Sequence, residues 1–241
     1  MRDKLRKKDY FDTFIEEEIE GIQMFEDSLA DGEIEEDRID SIKDEILLIK
    51  LGVIIARYSR GDSLDVIKSG FEDMIDMFCE SWEGGIYEYN LWFASLAYLL
   101  GLDSAKLEKI RKKLMESDTY DYLIDFVLLG AESEFDNSRI SFPRSYKKLV
   151  KSINENERES LLKYLRGWYK GSQESSWYDT HKITDDNLYY GYWCFEAGAV
   201  AKRLGLDDSD LQNEQYYPYD IVHFSRTTHI YTHDVNMYGN V

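Results

Sequence analysis

The sequence predicts an all-α fold, a helical bundle of stacked helical hairpins arranged as two related halves. Three observations point to it. The chain of 241 residues holds two prolines, Pro143 and Pro218, so most turns must be made by Gly, Asn, Asp or Ser, and helices can run unbroken. Apolar residues recur at three- and four-residue spacing, while β-branched runs of period two are nearly absent before residue 227. The third is a repeat. WEGGIYEYNLWFASLAYLLGLD, from Trp82 to Asp103, is a weaker copy of YYGYWCFEAGAVAKRLGLD, which opens the stretch Tyr189 to Asp220. Setting Gly101-Leu102-Asp103 on Gly205-Leu206-Asp207 puts Leu91 on Phe195, Ala97 on Ala201 and Leu100 on Leu204; upstream, Ser81-Trp82 has a counterpart in Ser176-Trp177. Each half is therefore expected around one buried helix rich in small residues.

The elements follow in order. Tyr10, Phe11, Phe14, Ile15, Ile22, Phe25 and Leu29 mark an amphipathic helix that ends at Asp31-Gly32. A second helix is predicted from about Ile34 to Tyr58, turning at Ser59-Arg60-Gly61-Asp62. Asp62 or Ser63 then caps a third through Leu64, Ile67, Phe71, Ile75 and Phe78. After Gly84-Gly85 the first motif helix covers about Tyr87 to Leu100. Asp103 caps a short helix to about Glu116, and Asp118 starts another through Leu129. The polar stretch Gly130 to Phe142, closed by Pro143, divides residues 1–130 from 131–241. Helices near 143–152 and 155–170 follow. A loop from Gly171 to Thr184 leads into a second motif helix of about Asp185 to Leu204, then Asp207-Asp208 as helix caps and a last turn after Pro218.

The formal charge is −19, from 48 acidic and 29 basic residues. That sign argues against nucleic acid and against anionic membrane surfaces, and favours either solubility or a basic protein partner. Residues 9–40 hold fourteen acidic side chains against Arg38 alone. No apolar run is long enough for a membrane span, and the basic start MRDKLRKKDYFDTF lacks a signal-peptide pattern. Cys79 and Cys194 lie far apart in helical patterns and are expected as reduced core thiols, which suits the cytoplasm.

The usual catalytic signatures are missing: no Gly-rich nucleotide loop, no HExxH, no CxxC and no GxSxG elbow. His223, His229 and His233 cluster with Asp220 and Asp234, and His229 and His233 would share a helix face. An ordinary surface or packing role is the plainer reading of that cluster. Glu196 sits inside the apolar stretch WCFEAGAV, where a carboxylate needs an Arg, Lys or Tyr hydroxyl beside it. No metal or cofactor is expected.

At the two motifs the chain resembles a known family. YYGYWCFEAGAVAKRLGLDDSDL followed by YYPYD is similar to the C-terminal domain of the PoNi immunity proteins, and Tyr58 to Leu64, YSRGDSL, resembles a segment of their N-terminal domain. The resemblance covers roughly residues 10–225. It implies a cytoplasmic, non-catalytic antidote that binds and neutralises a PoNe-type DNase toxin, delivered by specialised secretion systems into competitors. The matching residues are Tyr58, Gly61, Tyr190, Trp193, Glu196, Asp207, Tyr217, Pro218 and Asp220, and their apolar, capping and turn chemistry suggests that they maintain the fold. Two other readings stay open on the residues alone: a helical enzyme using Glu196 or the histidine cluster, and a generic acidic helical adaptor.

A nuclease presents a cationic groove to phosphates, so an acidic inhibitor gains speed from opposite fields. The partner surface is expected on the loops flanking the motifs, where aromatic rings alternate with carboxylates: Trp82, Glu83, Glu88, Trp177, Asp179, Asp185 and Asp186. Glu16, Glu17 and Glu20 on the first helix are expected to steer the approach.

Overall fold

The computed structural model describes residues 1–224. Among the described residues the regular structure is helical throughout. The helix α1 (Lys8–Ala30) pairs antiparallel with α2 (Ile39–Arg60), tied at its ends by ion pairs of Asp12 with Arg60 and Glu26 with Lys50. Gly61 ends α2 with φ of 99° and lies against Met1, a close approach that only glycine permits.

The third predicted helix is two, α3 (Leu64–Glu72), capped by the Ser63 hydroxyl, and α4 (Ile75–Ser81). Between them the Met74 N–H turns back to the Phe71 carbonyl, a tighter turn that interrupts the α ladder. The motif helix α5 (Tyr87–Leu99) is buried on nearly every side. Then come α6 (Ser104–Glu116), capped by Asp103 as expected, and α7 (Tyr122–Leu129). Asp118 does not start α7. Asp121 does, because its buried carboxylate accepts the Leu123 and Ile124 N–H groups. Pro143 opens α8 (Pro143–Glu155), which pairs with α9 (Arg158–Gly171).

The largest departure from expectation is the second motif helix. Only α10 (Phe195–Leu204) is helical, and residues 185–194 are not. Tyr189 to Cys194 instead crosses the end of α2 in a non-helical path, with its polar groups satisfied from outside. The Tyr10 hydroxyl takes the Tyr189 N–H, Ser59 Oγ donates to the Tyr190 carbonyl at 2.8 Å, and the Cys194 N–H reaches the Tyr216 carbonyl at 2.8 Å. Gly191, at φ 114°, lies so close to Ser59 that a β-carbon would sit 1.9 Å from its hydroxyl. A short turn at Ser209–Leu211 and α11 (Tyr219–Val222) complete the described chain. Asp207 accepts the Ser209 N–H as a cap should, but Asp208 is turned inward to the Tyr217 hydroxyl and His223.

The repeat survives where it matters for packing. Gly101 and Gly205 both end their helices in the left-handed region, at φ 68° and 62°, and both are followed by a leucine N–H bonded back at 3.1 Å, Leu102 to Ala97 and Leu206 to Ala201. Helices α5 and α10 pack against each other at the centre. The Lys202-Arg203 pair of α10 then caps its neighbours. Lys202 donates to the Leu99 carbonyl of α5, and Arg203 to Val127 and Leu128 of α7 with its guanidinium 3.8 Å from the centre of the Tyr98 ring. The first residues bind the halves from outside: Arg2 reaches Asp220, Asp3 takes the Tyr189 hydroxyl, and their N–H groups share the Ser59 carbonyl.

Candidate partner-binding surface

The two motif loops converge on the first turn of α5. The first, residues 82–86, leads directly into it. The second, residues 172–184, touches it through the Tyr89 hydroxyl and Ser176 Oγ, 3.1 Å apart, and through Glu88. Their tryptophans, however, are not surface anchors. Trp82 is 4% exposed, stacked on Phe78 with its indole N–H donating to Asn90 at 2.7 Å. Trp177 is 2% exposed, stacked on Trp168 at 5.0 Å with its N–H on Glu88 at 2.8 Å. Each ring gains more by filling the gap between a loop and α5 than by standing in water.

The carboxylates divide in the same way. Asp179, half-buried at φ 61°, accepts the Tyr169 hydroxyl and Lys182, and those two hold it below its usual range. Glu88 is pushed up to about 7, chiefly by burial and then by the nearby charge of Glu196. Glu83, Asp185 and Asp186 are exposed.

The 183–188 segment lies along α1, because Arg6 donates to the Ile183 carbonyl and Asn187 to Glu17 at 2.7 Å. Asn187 thereby brings the exposed Asp185 and Asp186 towards Glu17, which with Glu16 and Glu20 is exposed on α1. Further along, burial together with Glu17 and Glu45 pushes Glu18 up, and burial with Glu83 and Asp40 nearby does the same to Asp44. Acidic side chains thus crowd in sequence from the second loop, over α1 and α2, to the first loop. Met24 on α1, 72% exposed, and Leu188 at the end of the 183–188 segment, 48% exposed, are large apolar side chains left in water.

Beside it lies a feature without a signature in the motifs. A cleft of about 780 Å³ opens between the start of α5, the start of α8, the end of α9 and the 172–176 turn. Tyr146, Tyr164 and Trp168, all nearly buried, floor it. Arg144 and Lys147 on α8 and Gly167 and Gly171 on α9 also line it. Its one trace in the sequence is Gly167, a glycine inside a predicted helix, which weakens a helix unless something needs the space.

Glu196 is 1% exposed, with Oε1 receiving the Tyr164 hydroxyl at 2.7 Å and the Cys194 thiol at 3.3 Å. Burial pushes its pKa up. It has the tyrosine partner that the sequence demanded and no opening to substrate. His223 bonds to Asp208, while His229, His233 and Asp234 lie outside the described residues.

Comparison with known proteins decides the family. A model of the PoNe immunity protein (PoNi) N-terminal region matches residues 2–112, and one of the C-terminal region matches residues 119–221. The chain belongs to the PoNi family of immunity proteins. No curated protein and no solved structure matches it. In this PoNi chain the two family segments are packed on each other. Tyr58 meets Trp193 edge-on at 4.9 Å, and Ser59 Oγ receives the Trp193 indole N–H at 2.9 Å. PoNi membership carries an immunity role and a toxin protein as partner. Among the described residues no helix is long and apolar enough to cross a membrane.

Proposed function

We propose that the protein binds a DNase toxin of the PoNe type in the cytoplasm and neutralises it by direct contact, without catalysis. The family match along both halves carries this reading. The acidic face formed by Glu16, Glu17, Glu20, Asp185 and Asp186, with Glu83 at its far end, supports a partner of opposite charge such as a nuclease that must hold phosphates. Opposed fields raise association toward roughly 10⁸–10⁹ M⁻¹s⁻¹ at low salt. A catalytic reading built on Glu196 lacks support, since that carboxylate is sealed under α9 and bonded to a tyrosine.

The test is protection in a bacterial host. A PoNe-type DNase toxin from the same genome is expressed with and without it, and chromosome integrity is followed with growth. Survival with intact DNA is the expected result. Toxin killing that is unchanged by abundant, folded protein would refute the proposal.

A further inference from the structure

The cleft beside α5 has the composition of a specificity pocket. Its polar rims are divided: Arg144 and Lys147 stand exposed on the α8 side, and half-buried Glu88 with exposed Glu174 on the side made by α5 and the 172–176 turn. Between them lies the floor of tyrosine and tryptophan, and Ile86 and Phe142 are large apolar side chains left exposed at its edge. Aromatic and apolar surface framed by charge is the composition of an interface hot spot.

The glycines are an independent observation. Gly167 lies inside α9 and Gly171, one turn on, is its last residue; neither has a left-handed backbone. A β-carbon at Gly167 would meet only Lys148 Nζ at 3.8 Å, and one at Gly171 would meet nothing within 4 Å. Glycine inside a helix costs roughly 0.5–1 kcal/mol relative to alanine. Neither packing nor backbone geometry asks for it at Gly167, and a side chain at either position would narrow the cleft.

We propose that this cleft receives a protruding segment of the toxin, with a cationic side chain turned to Glu88 and Glu174, an acidic one to Arg144 and Lys147, and an apolar residue between them on the aromatic floor. This rests on the toxin-binding reading and deepens it. The acidic face of α1 attracts any cationic surface, whereas two oppositely charged rims admit one order of charges. The cleft therefore selects the cognate toxin, and the α1 face sets how fast it arrives. Glu88 accepts the Trp177 indole N–H and a hydrogen bond from Ser175, and its carboxylate keeps acceptor capacity for an ammonium or guanidinium.

Three variants test it: Gly171→Trp, which plugs the cleft at an open position; Arg144→Glu with Lys147→Glu, which reverses one rim; and Glu88→Gln, which keeps the acceptor for Trp177 and removes the charge. Dissociation constants are measured by interferometry against a catalytically inactivated PoNe-type toxin that the native protein neutralises, after circular dichroism confirms folding. The plug and the rim reversal lie on exposed positions, so they remain informative even if Glu88→Gln misfolds. Each folded variant is expected to bind roughly tenfold or more weakly, through a faster off-rate. Affinities within about twofold of the native protein for the plug and the rim reversal would overturn the cleft while leaving the toxin-binding reading intact. Absence of binding by the native protein would remove both.

Discussion

The indole N–H of Trp177 donates to Glu88 at 2.8 Å, and that of Trp82 donates to Asn90 at 2.7 Å. The repeated Ser-Trp dipeptide thus sends one tryptophan from each loop onto the first turn of the same helix, two residues apart. Both rings act within the protein.

Replacing Trp177 by alanine removes a buried ring packed on Trp168 and Trp92 and takes the indole donor from Glu88. A loss of about 3–5 kcal/mol in urea unfolding is expected. An unchanged midpoint and slope would mean that the ring is not held as described.

Glu88 should make stability fall as pH rises. Its carboxyl is raised from an ordinary 4.5 to about 7 by burial and then by Glu196, against the opposing pull of Trp177 and Ser175. Cys194, Tyr146 and Tyr190 also face it. A raised acid binds more protons in the fold, so its contribution is whole below about 4.5 and lost as pH climbs through about 7. Glu88→Gln should therefore exceed the native protein in stability at pH 8, by roughly 1–2 kcal/mol after allowance for solvent, with the gap closing near pH 4. Thermal melts across that range check it, and a gap that widens towards acid would contradict it.

Two glycines should respond with opposite sign. Gly191→Ala places a methyl into Ser59 Oγ at a φ of 114° and should cost several kcal/mol or prevent folding. Gly167→Ala should raise stability by roughly 0.5–1 kcal/mol. Chemical denaturation of the pair decides both.

Charge reversal at Glu16, Glu17 and Glu20 should slow toxin association and leave dissociation nearly unchanged, with the difference fading between 50 and 500 mM salt, where the Debye length shrinks from roughly 14 to 4 Å. Stopped-flow association rates test this, and an effect confined to the off-rate would contradict it.

Much of this architecture was legible because helices announce themselves locally. The periodicity of Phe11, Phe14, Ile15 and Ile22, the Asp103 cap and the glycine ends at 101 and 205 all act within a turn or two of chain. What escaped was set by distant partners. Tyr189 to Cys194 looked helical because nothing nearby shows that Ser59, Tyr10 and Tyr216 will take its polar groups. Trp82 and Trp177 looked like surface anchors because loop aromatics bury themselves only when a helix end offers a seat, here the first turn of α5. The cleft is likewise a property of four segments from separate regions, and Gly167 inside α9 was its one trace in the sequence.

The most direct test of direct, non-catalytic neutralisation is a titration of toxin-catalysed DNA cleavage with purified protein, at toxin concentrations well above the dissociation constant. Cleavage is expected to fall linearly and vanish near one protein per toxin, without added metal or cofactor beyond the nuclease's own. Inhibition by a small fraction of an equivalent that deepens with time would mean turnover, and would contradict the account.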